Sequence, residues 1–196
     1  ISIIILGTII VPNYFLYAEE SNPKATQLLS FTDLEYLGAF RLPRGENGDS
    51  NGFSFGGSPI AYNPKNNSLF VGTRSGKLGE VSIPKILNTQ DIEKLFFAKI
   101  IQPLEEPTEG GMKVLEESGM RGLLVDGNTI YGTGSIYYDA SNSARVSHFS
   151  RSTNLKEKSA TPLYSLWKAE KSGYVGGWLA KVPEEWSELL GGSIVS

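Results

Sequence analysis

Short apolar runs separated by turn residues recur along the middle of the chain. One set of four reads SPIAYN (58–63), SLFVGT (68–73), LGEVSI (78–83) and LFFAKII (95–101). A second set keeps the order: GLLVD (122–126), TIYGTG (129–134), RVSHFS (145–150) and PLYSLW (162–167). Apolar and polar positions alternate only imperfectly within them, as expected for strands covered on both faces. Leu69-Phe70 and Ile130-Tyr131 occupy equivalent places 61 residues apart, each after a turn signal (PKNN, DGN) and beside a Gly/Thr stretch. A period of that length built from strands alone predicts repeated β-sheet modules.

Four-stranded antiparallel modules at this spacing are the blades of a β-propeller. The expectation is therefore an all-β chain with one blade over about 56–101, a second over about 120–168 and the start of a third from 173, where GYVGGWLAKVP begins. LEYLGAFRLP (34–43) resembles the fourth strands and is expected to complete the last blade and close the ring. PEEWSELLGG (183–192) reads as a short helix, with Pro183 in its first turn and Gly191 past its end. Propellers need about four to eight blades, so this reading makes the chain an N-terminal fragment of one. A β-sandwich of seven or eight strands is the alternative that this length could complete.

The second copy is longer. Aligning Val81-Ser82-Ile83 with Val146-Ser147-His148 gives an offset of 65, which places four extra residues between the second and third strands, within Ser135–Ala144. In an up-and-down meander that connection shares one end of the modules with the links between modules. Those links, 43–57 and 103–119, are also long, and long loops on a rigid scaffold are where binding and catalysis concentrate.

The residues at that end define the candidate chemistry. Tyr137, Tyr138 and Asp139 lie in the inserted loop; an aromatic pair beside a carboxylate suits a sugar ring, whose apolar face stacks while its hydroxyls bond the acid. A capped turn is the commoner role for such residues. Trp178, Arg74 and Arg121 are placed within reach as further ligand-binding candidates, the arginines for an anionic group. His148, aligned with Ile83, is a candidate general base, although a buried histidine with both nitrogens bonded is the more frequent case. Glu109, in an acidic loop with Glu105, Glu106, Glu116 and Glu117, is the third catalytic candidate after Asp139 and His148, and a solvated acidic loop is its ordinary account. Arg151, three positions after His148, falls on the opposite face of an extended strand.

Composition narrows the classes. The net charge of −3, with both signs interleaved, argues against nucleic acid. The absence of cysteine and the single histidine exclude disulfides, thiolate nucleophiles and multi-His or Cys-ligated metal centres from this sequence, and neither a metal nor a cofactor is implied. The 22 glycines, nine tyrosines and nine phenylalanines suit many short strands and tight turns. The apolar segment 1–18 followed by a polar stretch, 19–33, reads as a secretory h-region cut after Ala18. Pro12 and Asn13 interrupt it, so no membrane span is expected to remain once it is removed. The absent charged n-region and initiator Met read as N-terminal truncation. The expected location is secreted, periplasmic or cell-surface.

YLGAFRLP, AYNPKNNSLFV, EVSIP, QPLEEPTEG, IYYDASNSARVSHF and VPEEWSELLGG together resemble a group of uncharacterised, exported bacterial proteins of β-propeller type. The resemblance runs from Leu34 to near the end of the chain. It implies the fold, export and a further C-terminal part, and transfers no catalytic residue. The signatures of Trp-Asp propellers, of sialidases and of the G-x-S-x-G elbow are absent from the sequence. The expected function is a secreted or surface ligand-binding module for an extracellular glycan or surface protein. The alternative is an extracellular carbohydrate-active hydrolase or lyase using carboxylate and histidine acid–base chemistry.

Overall fold

The turn signals reverse the chain where their chemistry allows it. A computed structural model describes residues 30–43, 52–53, 59–73, 75–115, 118–141, 143–165 and 176–196. In the first module β1 (Ile60–Asn63), β2 (Ser68–Gly72), β3 (Leu78–Ser82) and β4 (Ile100–Glu105) form an antiparallel sheet in chain order. In the second, β5 (Ser118–Asp126), β6 (Thr129–Ile136) and β7 (His148–Ser152) do the same. The β1–β2 and β5–β6 turns place Asn67 and Gly127 in the left-handed region, which asparagine and glycine enter at least cost. The chain is thus mostly β, in antiparallel sheets.

The fourth strands differ from expectation. In the first module the strand starts at Ile100 rather than Leu95. Leu95 and Ala98 are buried, but the backbone around them bonds elsewhere: Arg41 N–H donates to Phe96 O and Ala98 N–H to Arg41 O, both 2.8 Å. The 34–43 segment supplies those bonds from outside the sheet. Its bridges pair Ala39 with Leu87 and Arg41 with Phe97, and Phe40 and Leu42 pack, with Phe53, on Val71, Val81 and Ala98. In the second module the described part of the fourth strand, up to Ser165, makes a bridge between Tyr164 and His148, with Thr161 N–H donating to Ser150 O (2.9 Å). Residues 166–167, the end of that expected strand, lie outside the described residues.

Register corrects the size of the insertion. Ser68 pairs with Ser82 and Gly72 with Leu78, whereas Thr129 pairs with Ser152 and Thr133 with His148. Nine residues are inserted between the second and third strands, not four, and His148 stands where the first module has Leu78, not Ile83. Val81-Ser82 and Val146-Ser147 are alike in sequence but not equivalent in place, because pairing to β2 and β6 decides equivalence.

The two sheets share a core. Phe70 and Leu78 from the first pack with Leu123, Val125, Ile130 and Phe149 from the second, and β1 lies alongside β5. Burying such side chains contributes about 1.5–3 kcal/mol each. Gly132 makes room for Phe149, because a Cβ there would lie 2.3 Å from the ring. Beyond the sheets, β8 (Ala180–Lys181) and β9 (Ile194–Val195) form a ribbon around α1 (Glu184–Leu190). Pro183 precedes the helix and Gly191 ends it in the left-handed conformation (φ 70°). The segment leading into the ribbon crosses the second sheet so closely that a Cβ on Gly122 would lie 1.9 Å from Gly177 O.

β4 is the outer edge of its sheet; it exposes Ile100 and Ile101, contains Pro103, and meets β3 with two register shifts. The chain divides after Tyr36 into two units. The described part of the first, Ser30–Tyr36, holds a single 3-10 turn, Phe31–Asp33, closed by a reciprocal Ser30/Asp33 capping box. The apolar segment 1–18 lies outside the described residues, among which no helix is long and apolar enough to cross a membrane.

Candidate functional site

The inserted loop is built around Asp139. Its carboxylate is buried and accepts from Ser143 N–H (2.7 Å), Ser143 Oγ (3.0 Å), Ser141 Oγ (3.4 Å) and Ala144 N–H (2.9 Å). The backbone donors Ala144 and Ser143 hold its pKa below the ordinary 3.8 against the opposing effect of burial. Asp139 thus organises the loop. Tyr137 and Tyr138 point the other way, 87 % and 82 % exposed. Large aromatics that a fixed loop holds in water have given up the usual stabilisation of burial.

Arg121, on β5, joins this group. Its Nε donates to Ser135 Oγ (3.1 Å) and its guanidinium carbon lies 5.9 Å from the Tyr137 ring centroid, within cation–π range. Trp178 is 89 % exposed and borders a separate groove of about 390 Å³ with Pro59, Ile60, Gly122, Leu123 and Leu179. That groove lies between the first strands of the two sheets. Arg74, Glu116 and Glu117 lie outside the described residues.

His148 is buried on β7. Its Nδ1 lies 2.7 Å from Ser147 Oγ and its Nε2 3.0 Å from Ser196 Oγ. Burial depresses its pKa below the ordinary 6.5. It borders a cavity of about 150 Å³ with Tyr131, Tyr164, Leu179, Ile194 and Ser196. Glu109 sits elsewhere, in the left-handed region (φ 53°), with Oε1 accepting from Ala160 N–H at 2.9 Å. The backbone N–H of Ala160, chiefly, keeps its pKa below the ordinary 4.5. Asp139, His148 and Glu109 are thus held in three separate hydrogen-bond settings.

Two buried charges were not foreseen from sequence. Glu80 accepts from Asn63 Nδ2 (2.9 Å), Asn66 Nδ2 (3.0 Å), Ser68 Oγ and Gln102 Nε2 (2.6 Å). Burial alone would raise its pKa, and these four donors together lower it instead. Gln102 carries the network across to the second module: its Nε2 also donates to Thr153 O (2.9 Å) and its Oε1 accepts from Leu155 N–H (2.8 Å). Arg151, on the face of β7 opposite His148, donates to the carbonyls of Ser152, Pro107, Leu155 and Glu157. A lone Glu inside LGEVSI, near Asn63, Asn66 and Ser68, was the available signal for Glu80.

Among the described residues no three His, Asp or Glu side chains come together as a metal-ligand group. The fold and the exposed loop define an all-β protein of two packed antiparallel sheets with an aromatic and cationic surface group at one end. Comparison of the chain with protein-family models, with curated proteins and with solved structures gives no match in any of the three.

Proposed function

We propose that the chain is part of an exported ligand-binding module that recognises an extracellular glycan through Tyr137, Tyr138 and Arg121. The observation that carries this reading is the pair of highly exposed tyrosines on a loop fixed by the Asp139 carboxylate. A platform already ordered before the ligand arrives loses less conformational entropy on binding, and tyrosine offers an apolar face to a sugar ring and a hydroxyl to its polar groups. The carbohydrate-active hydrolase or lyase alternative requires an acid and a base across one bond, and the separate settings of Asp139, His148 and Glu109 do not favour it.

The sheets are read as successive blades of a propeller. Supporting this is a contact that recurs: a Cβ at Gly72, ending β2, would lie 3.1 Å from Met120 Cε of the next module, and Thr133, at the equivalent place in β6, donates to Gly177 O at 2.8 Å in the segment that follows. Each second strand therefore meets the start of the unit after it, as stacked blades require.

The test is a polysaccharide and oligosaccharide panel probed with the full chain. Tyr137→Ala and Tyr138→Ala are each expected to weaken binding by roughly tenfold, the equivalent of about 1.4 kcal/mol, with circular dichroism unchanged. No binding by the wild type, or binding by both variants as tight as that of the wild type, would overturn the reading.

A further inference from the structure

Three arginines are held in different ways. Arg41 donates from Nε to Leu95 O, from Nη1 to the Glu93 carboxylate and from Nη2 to Glu93 O. Arg151 likewise donates from all three nitrogens, to backbone carbonyls. Both are spent on structure. Arg121 is oriented but not spent: Nε is held by Ser135 and the plane is placed near Tyr137, while among the described residues neither Nη atom makes a hydrogen bond or ion pair.

Its planar face is fixed as well. The guanidinium carbon and both Nη atoms lie 3.5–3.8 Å from where a Cβ on Gly119 would stand, so the group lies flat against a residue with no side chain to displace it. An open guanidinium fork matches the two oxygens of a carboxylate in a way that an ammonium does not. Beside it stand two exposed aromatic rings suited to a pyranose.

We propose that the glycan is acidic: a uronic acid residue stacks on Tyr137 or Tyr138 while its carboxylate takes both Nη donors of Arg121. This rests on the glycan-binding reading and narrows it. The contact is charge-assisted and partly exposed, so affinity falls as salt rises.

The experiment compares the full chain on immobilised polygalacturonate and polymannuronate with the same polymers after reduction of their carboxyl groups to alcohols, at fixed ionic strength. Wild type is expected to bind the acidic forms at least tenfold more tightly than the reduced forms. Arg121→Gln should abolish that difference by weakening binding to the acidic polymers, and Arg121→Lys should restore only part of it. Equal wild-type affinity for acidic and reduced polymers overturns the carboxylate assignment and leaves glycan binding standing. A difference that persists in Arg121→Gln also overturns it. Binding to neither form overturns both readings.

Discussion

Replacing Glu80 with glutamine changes one oxygen to an amide nitrogen and leaves the shape nearly intact. Oε1 accepts from Asn63, Asn66 and Ser68, so the new NH2 group is driven to the Oε2 position, where it faces Gln102 Nε2. Two donors then oppose each other. Turning the Gln102 amide would relieve the clash, but it would also lose the bonds to Thr153 O and from Leu155 N–H that tie the modules together. Loss of one charge-assisted hydrogen bond with a buried donor left unpaired costs about 3 kcal/mol. For a unit of this size that is roughly 6–12 °C in Tm. Urea and thermal unfolding at pH 7 measure it. The pH dependence adds a second check. The folded-state pKa of Glu80 lies below its ordinary 4.5, so its ionisation contributes stability above pH 4.5 that is lost as pH falls through the folded value. The gap between wild type and Glu80→Gln should therefore narrow in acid. A loss under about 0.5 kcal/mol at pH 7, within the range of ordinary surface substitutions, would refute the claim that the carboxylate organises this interface.

Other substitutions probe different parts. Gly122→Ala places a methyl group against Gly177 O and breaks the Thr133 bond to that carbonyl; faster hydrogen exchange in 176–182 with the sheets still protected is the expected result. His148 is buried with its pKa lowered, so it favours the folded state least when protonated, and stability should fall as pH drops below 6.5; His148→Gln should flatten that slope in an unfolding series from pH 7.5 to 5. Asp139→Asn weakens the charge-assisted bonds from Ser143 and Ala144; glycan affinity should drop several-fold although both tyrosines remain, and protease cleavage within 137–147 should quicken.

Much of the strand pattern was legible because strands are short, bounded by turn residues and repeated. β1, β2 and β6 fall within a residue or two of their expected places, and the helix after Pro183 begins and ends as its punctuation indicates. The fourth strands were not legible, since Leu95-Phe96-Phe97-Ala98 carries the right residues for a strand yet gives its backbone bonds to Arg41, a partner more than fifty positions away. The length of the insertion is hidden for a related reason: Val-Ser occurs in both copies, at places that the pairing to β2 and β6 shows are not equivalent. At the site, the inserted loop and its tyrosines could be found from sequence. The role of Asp139 as the loop's internal anchor is the local capped turn that its sequence context allows, since its partners Ser141, Ser143 and Ala144 lie two to five positions on. The capture of Glu109 by Ala160 and the contact of His148 with Ser196 depend on neighbours about fifty positions away that no local spacing records.

The outer edge at β4 bears on solubility. Its exposed Ile100 and Ile101 would make a sticky template for strand addition by another copy, the usual route to edge-to-edge aggregation. Pro103 lacks the N–H such a partner must meet, and the two register shifts against β3 break the regular spacing that intermolecular pairing needs. The irregularity that hides this strand from a sequence reading thus also guards concentrated protein against polymerising through its rim.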